Sequence, residues 1–112
     1  MVELTRAMML VLMDLRIVGG HGYQIMLGII EITGGEYSVP AATLYRSLNS
    51  LLEHGLIREA PEMFQEGDDQ RRKYYQITEA GVAALEAELR RLEVIIRRAH
   101  EFKIIAKDGG NS

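Results

Sequence analysis

The sequence predicts a mainly α-helical domain with a small β-hairpin, an α+β fold that ends in a long C-terminal helix. Three observations support this prediction. The first half carries three helical apolar patterns separated by Gly and Pro, the next stretch has a strand-like period, and the last third carries an apolar seam. The chain has 112 residues, of which 47% are hydrophobic and 26% are charged. This composition is typical of one soluble globular domain.

Three helices are predicted in the first half, at Leu4–Ile17, Tyr23–Ile32 and Ala41–His54. The first is apolar almost all the way round, which predicts burial against its own core and against a partner subunit. A cluster of glycines separates it from the second helix. Ser38 and Pro40 supply the start signals of the third helix, whose buried stripe consists of leucines.

A β-hairpin is predicted after the third helix. Its first strand covers Leu56–Ala60 and continues through Met63–Phe64, and Pro61 restricts this strand to a sheet edge or a bulge. The polar segment 65–70 forms the tip of the hairpin. The returning strand, Arg72–Ile77, contains two tyrosines and a β-branched residue, which favour strand structure.

The last predicted helix has Thr78 as its N-cap and runs from Glu79 to about Ile105. Its apolar residues are spaced three and four apart, like the a and d positions of a coiled coil. They are Val82, Leu85, Leu89, Leu92, Ile96 and Ala99. A helix of roughly 25 residues is about 38 Å long, which a three-helix head cannot cover, so part of the seam should contact a second subunit. The predicted dimer-interface residues are Met8, Met9, Leu12, Leu89, Leu92, Ile95, Ile96 and Phe102.

The order of three helices, two strands and a long helix is that of a winged helix-turn-helix, although other small α+β domains share it. In a winged helix the third helix enters the DNA major groove and the hairpin reaches the neighbouring backbone. The formal net charge is −3 and no segment is basic overall, but Arg71, Arg72 and Lys73 are consecutive. Strand alternation places Arg71 and Lys73 on one face and Arg72 on the other.

Eight residues are candidate DNA contacts on the third helix, at its entry and in the hairpin. They are Ser38, Thr43, Tyr45, Arg46, Asn49, Arg71, Arg72 and Lys73. Arg46 can bond guanine bidentately, or it can pair with a nearby acid. Tyr45 can donate its hydroxyl to a phosphate, or its ring can pack against the hairpin. The three hairpin cations can contact phosphates or a narrow minor groove, or they can be solvated and neutralised by Asp68 and Asp69.

Four further stretches carry a family resemblance. They are His21-Gly22-Tyr23, Ala42–Tyr45, Leu52–Ile57 and Arg71–Gly81. Together they resemble the PadR family of bacterial transcriptional regulators, over roughly residues 5–105. The last stretch is the most specific, and the short chain is similar to the subfamily with a single C-terminal helix. The resemblance implies a homodimeric repressor that, in some members, a small hydrophobic effector releases from DNA. Candidate effector contacts are Met8, Ile96 and Phe102.

Several function classes are disfavoured. The chain has no cysteine, so disulfides and thiolate chemistry are excluded. Its three histidines lack the neighbouring ligands that a metal site needs. No nucleophile elbow or phosphate-binding glycine loop is present. No segment is apolar enough to span a bilayer, and no signal peptide is visible. We therefore expect a cytoplasmic protein that is not an enzyme and has no metal, no cofactor and no membrane association.

The predicted organisation is a winged-helix DNA-binding domain at residues 1–78, a dimerisation helix at 79–107 and a flexible tail at 108–112. The predicted function is a homodimeric, sequence-specific transcriptional regulator that represses from a pseudo-palindromic double-stranded operator. The alternative is a dimeric winged-helix interaction module that has lost DNA binding. The three acids of segment 65–70 and the single cation of the third helix motivate this alternative.

Overall fold

The computed structural model describes residues 2–106, so Lys107 and the predicted tail lie outside the described residues. Within this range the helices are α1 (Arg6–Ile17), α2 (Gly22–Ile32), α3 (Ala41–Glu53) and α4 (Glu79–Glu101). The strands are β1 (Gly20–His21), β2 (Ile57–Glu59) and β3 (Tyr74–Ile77). They pair antiparallel in the order β1-β3-β2. This arrangement confirms the predicted winged-helix fold, a helical head with a small sheet and a long last helix.

The head is held together by apolar side chains of α1, α2 and α3. Those that are fully buried include Val11, Leu12, Ile25, Ile29, Leu44, Leu48 and Leu51. Burying one such side chain is worth about 1.5–3 kcal/mol, so this cluster dominates the stability of the head. α1 begins at Arg6 rather than Leu4, because Thr5 Oγ1 accepts a hydrogen bond from the Met8 N–H (3.1 Å) and so caps the helix. Ser38 does not cap α3, because Pro40 occupies the N-cap position.

The first arm of the hairpin is shorter than predicted. β2 ends at Glu59, and Pro61–Met63 forms a single 3₁₀ turn in place of the predicted continuation of the strand. Proline lacks an N–H and has a fixed φ, so it favours the first position of such a turn over a ladder position. The Phe64 N–H donates to the Pro61 carbonyl at 3.0 Å and closes the turn. The predicted strand through Met63–Phe64 is therefore wrong.

The second arm is also shorter. β3 starts at Tyr74 and not at Arg72, because the Arg72 N–H donates to the Asp69 carbonyl at 2.9 Å in a turn before the strand. The alternation predicted for the three cations therefore does not apply to them. We call residues 60–73, which connect β2 to β3, the wing. The Ala60 N–H donates to the Tyr74 carbonyl at 2.7 Å and closes the base of the wing.

The strand β1 was not predicted. Gly20 pairs with Tyr75 and His21 pairs with Tyr74, so the glycine-rich cluster after α1 also forms a sheet edge. This pairing joins the start of α2 to the returning strand of the hairpin. It thereby places His21 beside the wing.

The start of α4 agrees with the prediction. Thr78 Oγ1 accepts a hydrogen bond from the Gly81 N–H at 3.1 Å, and its hydroxyl donates to the Gly55 carbonyl at 2.7 Å. A Cβ on Gly81 would lie 2.0 Å from the Leu56 carbonyl oxygen. The helix can therefore approach this backbone only because residue 81 is glycine.

The end of α4 differs from the prediction, because the helix stops at Glu101 and not near Ile105. The chain reverses at Lys103, which has φ 60°. The Ile104 N–H then donates to the Ala99 carbonyl at 2.8 Å and satisfies one carbonyl of the last turn. Phe102 and Ile104 are exposed beyond the helix.

Candidate nucleic-acid interface

An open groove lies between the start of α2, the exposed face of α3 and the wing. Its volume is about 440 Å³. The lining residues are His21, Gly22, Tyr23, Tyr45, Asn49, Asp69, Arg71, Arg72, Lys73 and Tyr75. Five of the eight candidate DNA contacts are in this set, so the fold brings the third helix and the cations of the wing to one surface.

The α3 contribution follows from the leucine stripe. Leu44, Leu48 and Leu51 are buried, which leaves Tyr45 and Asn49 on the exposed face toward the groove. Tyr45 is half exposed, and its hydroxyl lies against α2, where a Cβ on Gly22 would be 2.5 Å from Oη. Tyr45 therefore packs on a neighbouring helix and still presents part of its ring and hydroxyl to the groove.

Three candidates do not line the groove. Arg46 is exposed on α3, and its Nη2 donates to Thr43 Oγ1 at 3.3 Å. Thr43 is half-buried, and Ser38 is exposed in the loop before α3. Arg46 and Ser38 are thus exposed to solvent on α3 and in the loop before it, outside the groove.

Each cation of the wing has an acidic partner. The Arg71 Nε lies 3.4 Å from Asp69 Oδ1, and Arg72 Nη1 lies 3.5 Å from Asp68 Oδ1. Lys73 Nζ lies 3.8 Å from the Glu59 carboxylate on β2. The neutralisation considered from the sequence is therefore present in the structure. The Arg71 and Lys73 pairs are exposed on both sides, and exposed pairs of this kind are weak.

The two wing aspartates have different surroundings. The Asp68 side chain is 15% exposed, and it accepts hydrogen bonds from the Gln65 N–H and the Tyr74 hydroxyl, both at 2.8 Å. These two bonds hold the pKa of Asp68 below its ordinary value. The Asp69 carboxylate is half exposed and accepts from the Arg71 N–H at 2.9 Å, which likewise lowers its pKa. Both carboxylates are therefore charged at neutral pH.

His21 occupies the inner end of the groove. It is the N-cap residue of α2, and its ring meets the Tyr74 ring edge-on at 5.3 Å. Burial and the nearby charge of Arg72 lower the pKa of His21, so a neutral imidazole is favoured at pH 7. Sequence reasoning did not place His21, Gly22 or Tyr23 in the interface. Their position before α2 was visible in the sequence. Their approach to the wing, however, depends on the β1–β3 pairing, which the sequence did not indicate.

The predicted dimer residues separate into three groups by burial. Met8 and Leu12 are buried in the core of the subunit, and Leu12 has no exposed surface in this single chain. Met9, Leu89 and Leu92 are partly buried. Ile95, Ile96 and Phe102 are 61%, 53% and 66% exposed, because only the first half of α4 packs on the head. Of the candidate effector contacts, Met8 therefore lies inside the core, whereas Ile96 and Phe102 face solvent.

Metal-binding clusters and membrane-spanning helices are absent from the described part of the chain. Residues 2–106 contain no group of three or more His, Asp or Glu side chains that could hold a metal ion. Within the same range, no helix is both long enough and apolar enough to cross a membrane.

Known proteins resemble the chain in both sequence and structure. A family model described as "Transcriptional regulator PadR-like family" matches residues 11–87. A transcriptional regulator from Clostridium thermocellum is 25% identical, with a TM-score of 0.72 over 87% of this chain and 89% of that one. A PadR family transcription regulator from Clostridium difficile is 23% identical, with a TM-score of 0.72 over 88% of this chain and 98% of that one. No curated protein matches the chain significantly.

A further solved structure contains DNA. Bacillus subtilis PadR in complex with operator DNA is 24% identical, with a TM-score of 0.66 over 78% of this chain and 48% of that one. The family model covers well over half of the chain, and it coincides with the helical head, the wing and the start of α4. The chain therefore belongs to the PadR-like family of transcriptional regulators.

Proposed function

We propose that this protein is a sequence-specific DNA-binding regulator that holds a duplex against the groove between α3 and the wing. The observation that carries the proposal is the joint lining of this groove by Tyr45 and Asn49 of α3 and by the three wing cations. The relative from Bacillus subtilis, which was solved with operator DNA, supports the same partner.

The chemistry of the groove suits a phosphate backbone. Arg71 and Arg72 present planar guanidinium groups, which bond phosphate oxygens bidentately, and Lys73 adds a point charge. The amino end of α2 opens on the groove at Gly22, and the partial positive charge of a helix N-terminus attracts anions. The Tyr45 hydroxyl can donate to the same backbone. Arg46, on the exposed face of α3, is the candidate for a base edge in the major groove.

Dimerisation through α4 would give such a regulator a two-fold axis. The helix has 23 residues and is about 35 Å long, yet its second half exposes Val94, Ile95 and Ile96 to solvent. Large apolar side chains left exposed at this end of the helix favour packing against a partner helix of a second copy. Light scattering should give twice the subunit mass, and Ile95→Glu with Ile96→Glu should shift the protein to the monomer.

The proposal includes repression as the regulatory sense. A dimer would read a pseudo-palindromic operator, with half-sites one helical turn or a multiple apart. Occupying such a site would repress transcription by excluding other proteins from it. Release by a small hydrophobic effector is part of the proposal, with exposed Ile96 and Phe102 as its candidate contacts. Such a protein would act in the cytoplasm, where the DNA is, and would not be an enzyme.

The test is selection of bound duplexes from a random double-stranded library. Recovery of one palindromic motif is the expected result, and its half-site spacing would give the docking geometry. If Arg71 and Arg72 of both subunits neutralise phosphates while Arg46 contacts a base edge, about four phosphates are engaged and the salt slope should be near −4. A slope near zero on every duplex would exclude this contact set.

The second candidate function is a dimeric interaction module that no longer binds DNA. The acidic partners of all three wing cations favour it. Arg71→Ala with Arg72→Ala separates the two candidates, because it should abolish operator binding by a regulator and leave an interaction module unchanged. Arg6→Ala with Arg16→Ala is the matched control, since it removes the same charge from exposed positions on α1, outside both the groove and α4.

A further inference from the structure

The acidic partners of the wing cations affect how readily these cations can contact DNA phosphates. Between residues 65 and 73 the chain has three acidic and three basic side chains, so this part of the wing is formally neutral. A phosphate that approaches Arg71 competes with the Asp69 carboxylate, which already lies on the same guanidinium. Carboxylate and phosphate offer similar paired oxygens to the arginine fork, so the two anions compete for one place.

Asp69 suits the role of a competitor better than Asp68. Its carboxylate accepts from the Arg71 main-chain N–H (2.9 Å) and from the side-chain Nε and Nη2 (3.4 and 3.5 Å). Asp68 is instead held by Gln65 and Tyr74, so its removal would disturb the shape of the wing. The Arg71 side chain is 91% exposed, which leaves it free to turn from Asp69 toward a ligand.

The main-chain bond has a further effect. Because Asp69 is anchored to the Arg71 N–H, its carboxylate stays in the groove when the guanidinium moves away. The remaining negative charge then faces the incoming phosphate. Asp69 thus opposes duplex binding twice, first by occupying Arg71 and afterwards by repulsion.

We propose that Asp69 is an internal phosphate competitor that sets the affinity of the groove for duplex DNA through Arg71. The inference rests on the proposed DNA-binding function. It assigns to one acidic residue the low non-specific affinity that the net charge of −3 also favours. Phosphate contacts supply most of the non-specific affinity, so the effect should appear on a duplex of any sequence.

The test compares neutral variants of two wing acids in the full chain. Asp69→Asn keeps an oxygen acceptor for the Arg71 N–H and removes the charge. Glu66→Gln is the matched control, because Glu66 is an exposed acid of the same loop whose carboxylate does not line the groove. Fluorescence anisotropy on a short mixed-sequence duplex, over a series of salt concentrations, gives the affinity and the salt slope of each variant.

Asp69→Asn should bind about 3- to 10-fold more tightly than the wild type, with a salt slope steeper by about 1 to 2 units. Glu66→Gln should produce a clearly smaller gain. In an Arg71→Ala background, the gain from Asp69→Asn should fall to that of Glu66→Gln. Circular dichroism and the melting temperature verify the fold of each variant, and Asp69→Ser is a second neutral variant if Asp69→Asn is unfolded.

Equal gains from the two variants would overturn the inference, because net charge alone would explain them. Wild-type binding without any gain in Asp69→Asn would also overturn it, and would leave the proposed DNA-binding function intact. If neither the wild type nor folded Asp69→Asn binds any duplex, both the inference and the proposed function are wrong.

Discussion

Replacing Asp14 with Asn should make the protein more stable at neutral pH. Asp14 lies on α1 in the interface with α2 and is only 5% exposed. Its carboxylate is so close to α2 that a Cβ on Gly28 would lie 1.8 Å from Oδ1. Burial, and then the negative charge of Glu31, raise the pKa of Asp14 from 3.8 to about 6. The folded state therefore disfavours the charged form that prevails at pH 7.

The magnitude follows from the linkage between protonation and folding. The unfolded chain loses the Asp14 proton near pH 3.8 and the folded chain loses it near pH 6, so stability is greatest below the first value and falls as pH rises through the second. A difference of about two pKa units corresponds to about 3 kcal/mol of lost stability at pH 7. Asn removes the charge but keeps a polar amide, so the expected gain at pH 7 is about 1–3 kcal/mol.

Urea denaturation from about pH 4 to about pH 8, at one fixed protein concentration, measures this effect. The free energy of unfolding of Asp14→Asn minus that of the wild type should grow between pH 4 and pH 7. Glu31→Gln should reproduce a fraction of the gain, whereas Glu36→Gln is a control, since Glu31 and not Glu36 raises the pKa of Asp14. A difference that stays constant with pH, or a less stable Asp14→Asn at pH 7, would refute the reasoning.

Three other substitutions test separate features of the fold and the groove. Gly81→Ala should lower the free energy of unfolding by about 1–3 kcal/mol or more, measured by urea denaturation, because its Cβ would collide with the Leu56 carbonyl. Lys103→Gly should raise the melting temperature, since relief of its positive φ is worth about 0.5–1 kcal/mol; an unchanged melting temperature would contradict this. Tyr45→Phe should weaken duplex binding about 3- to 10-fold in anisotropy with no loss of stability if the hydroxyl donates to a phosphate, whereas unchanged affinity would mean that the ring only packs.

The helices and the N-cap of α4 could be predicted because their signals are local. Apolar spacing, glycine clusters and a threonine before an acidic first turn act within a few residues of one another. The termination of α4 at Glu101 had no such signal, since the positive φ is at a lysine and not at a glycine. The prediction of a helix to Ile105 failed for that reason.

Features that depend on distant residues could not be predicted. β1 exists because Gly20 and His21 pair with β3, which lies more than fifty positions further along the chain. The same pairing brings His21 into the groove. Five of the candidate DNA contacts line one groove because leucine periodicity fixed the outer face of α3 and the basic cluster marked the wing. The pairing of Arg71 with Asp69 was considered from the sequence, but its main-chain anchor was visible only in the structure.

The bonds of Thr78 have a mechanical consequence. This residue caps α4 and, at the same time, donates to the Gly55 carbonyl just after α3, while Gly81 rests on the Leu56 carbonyl. These contacts fix the orientation of α4 relative to α3. With a lever about 35 Å long, a tilt of about 5° at this joint displaces the far end of α4 by about 3 Å. In any assembly held through α4, a change in the packing angle at that end therefore also changes the orientation of α3.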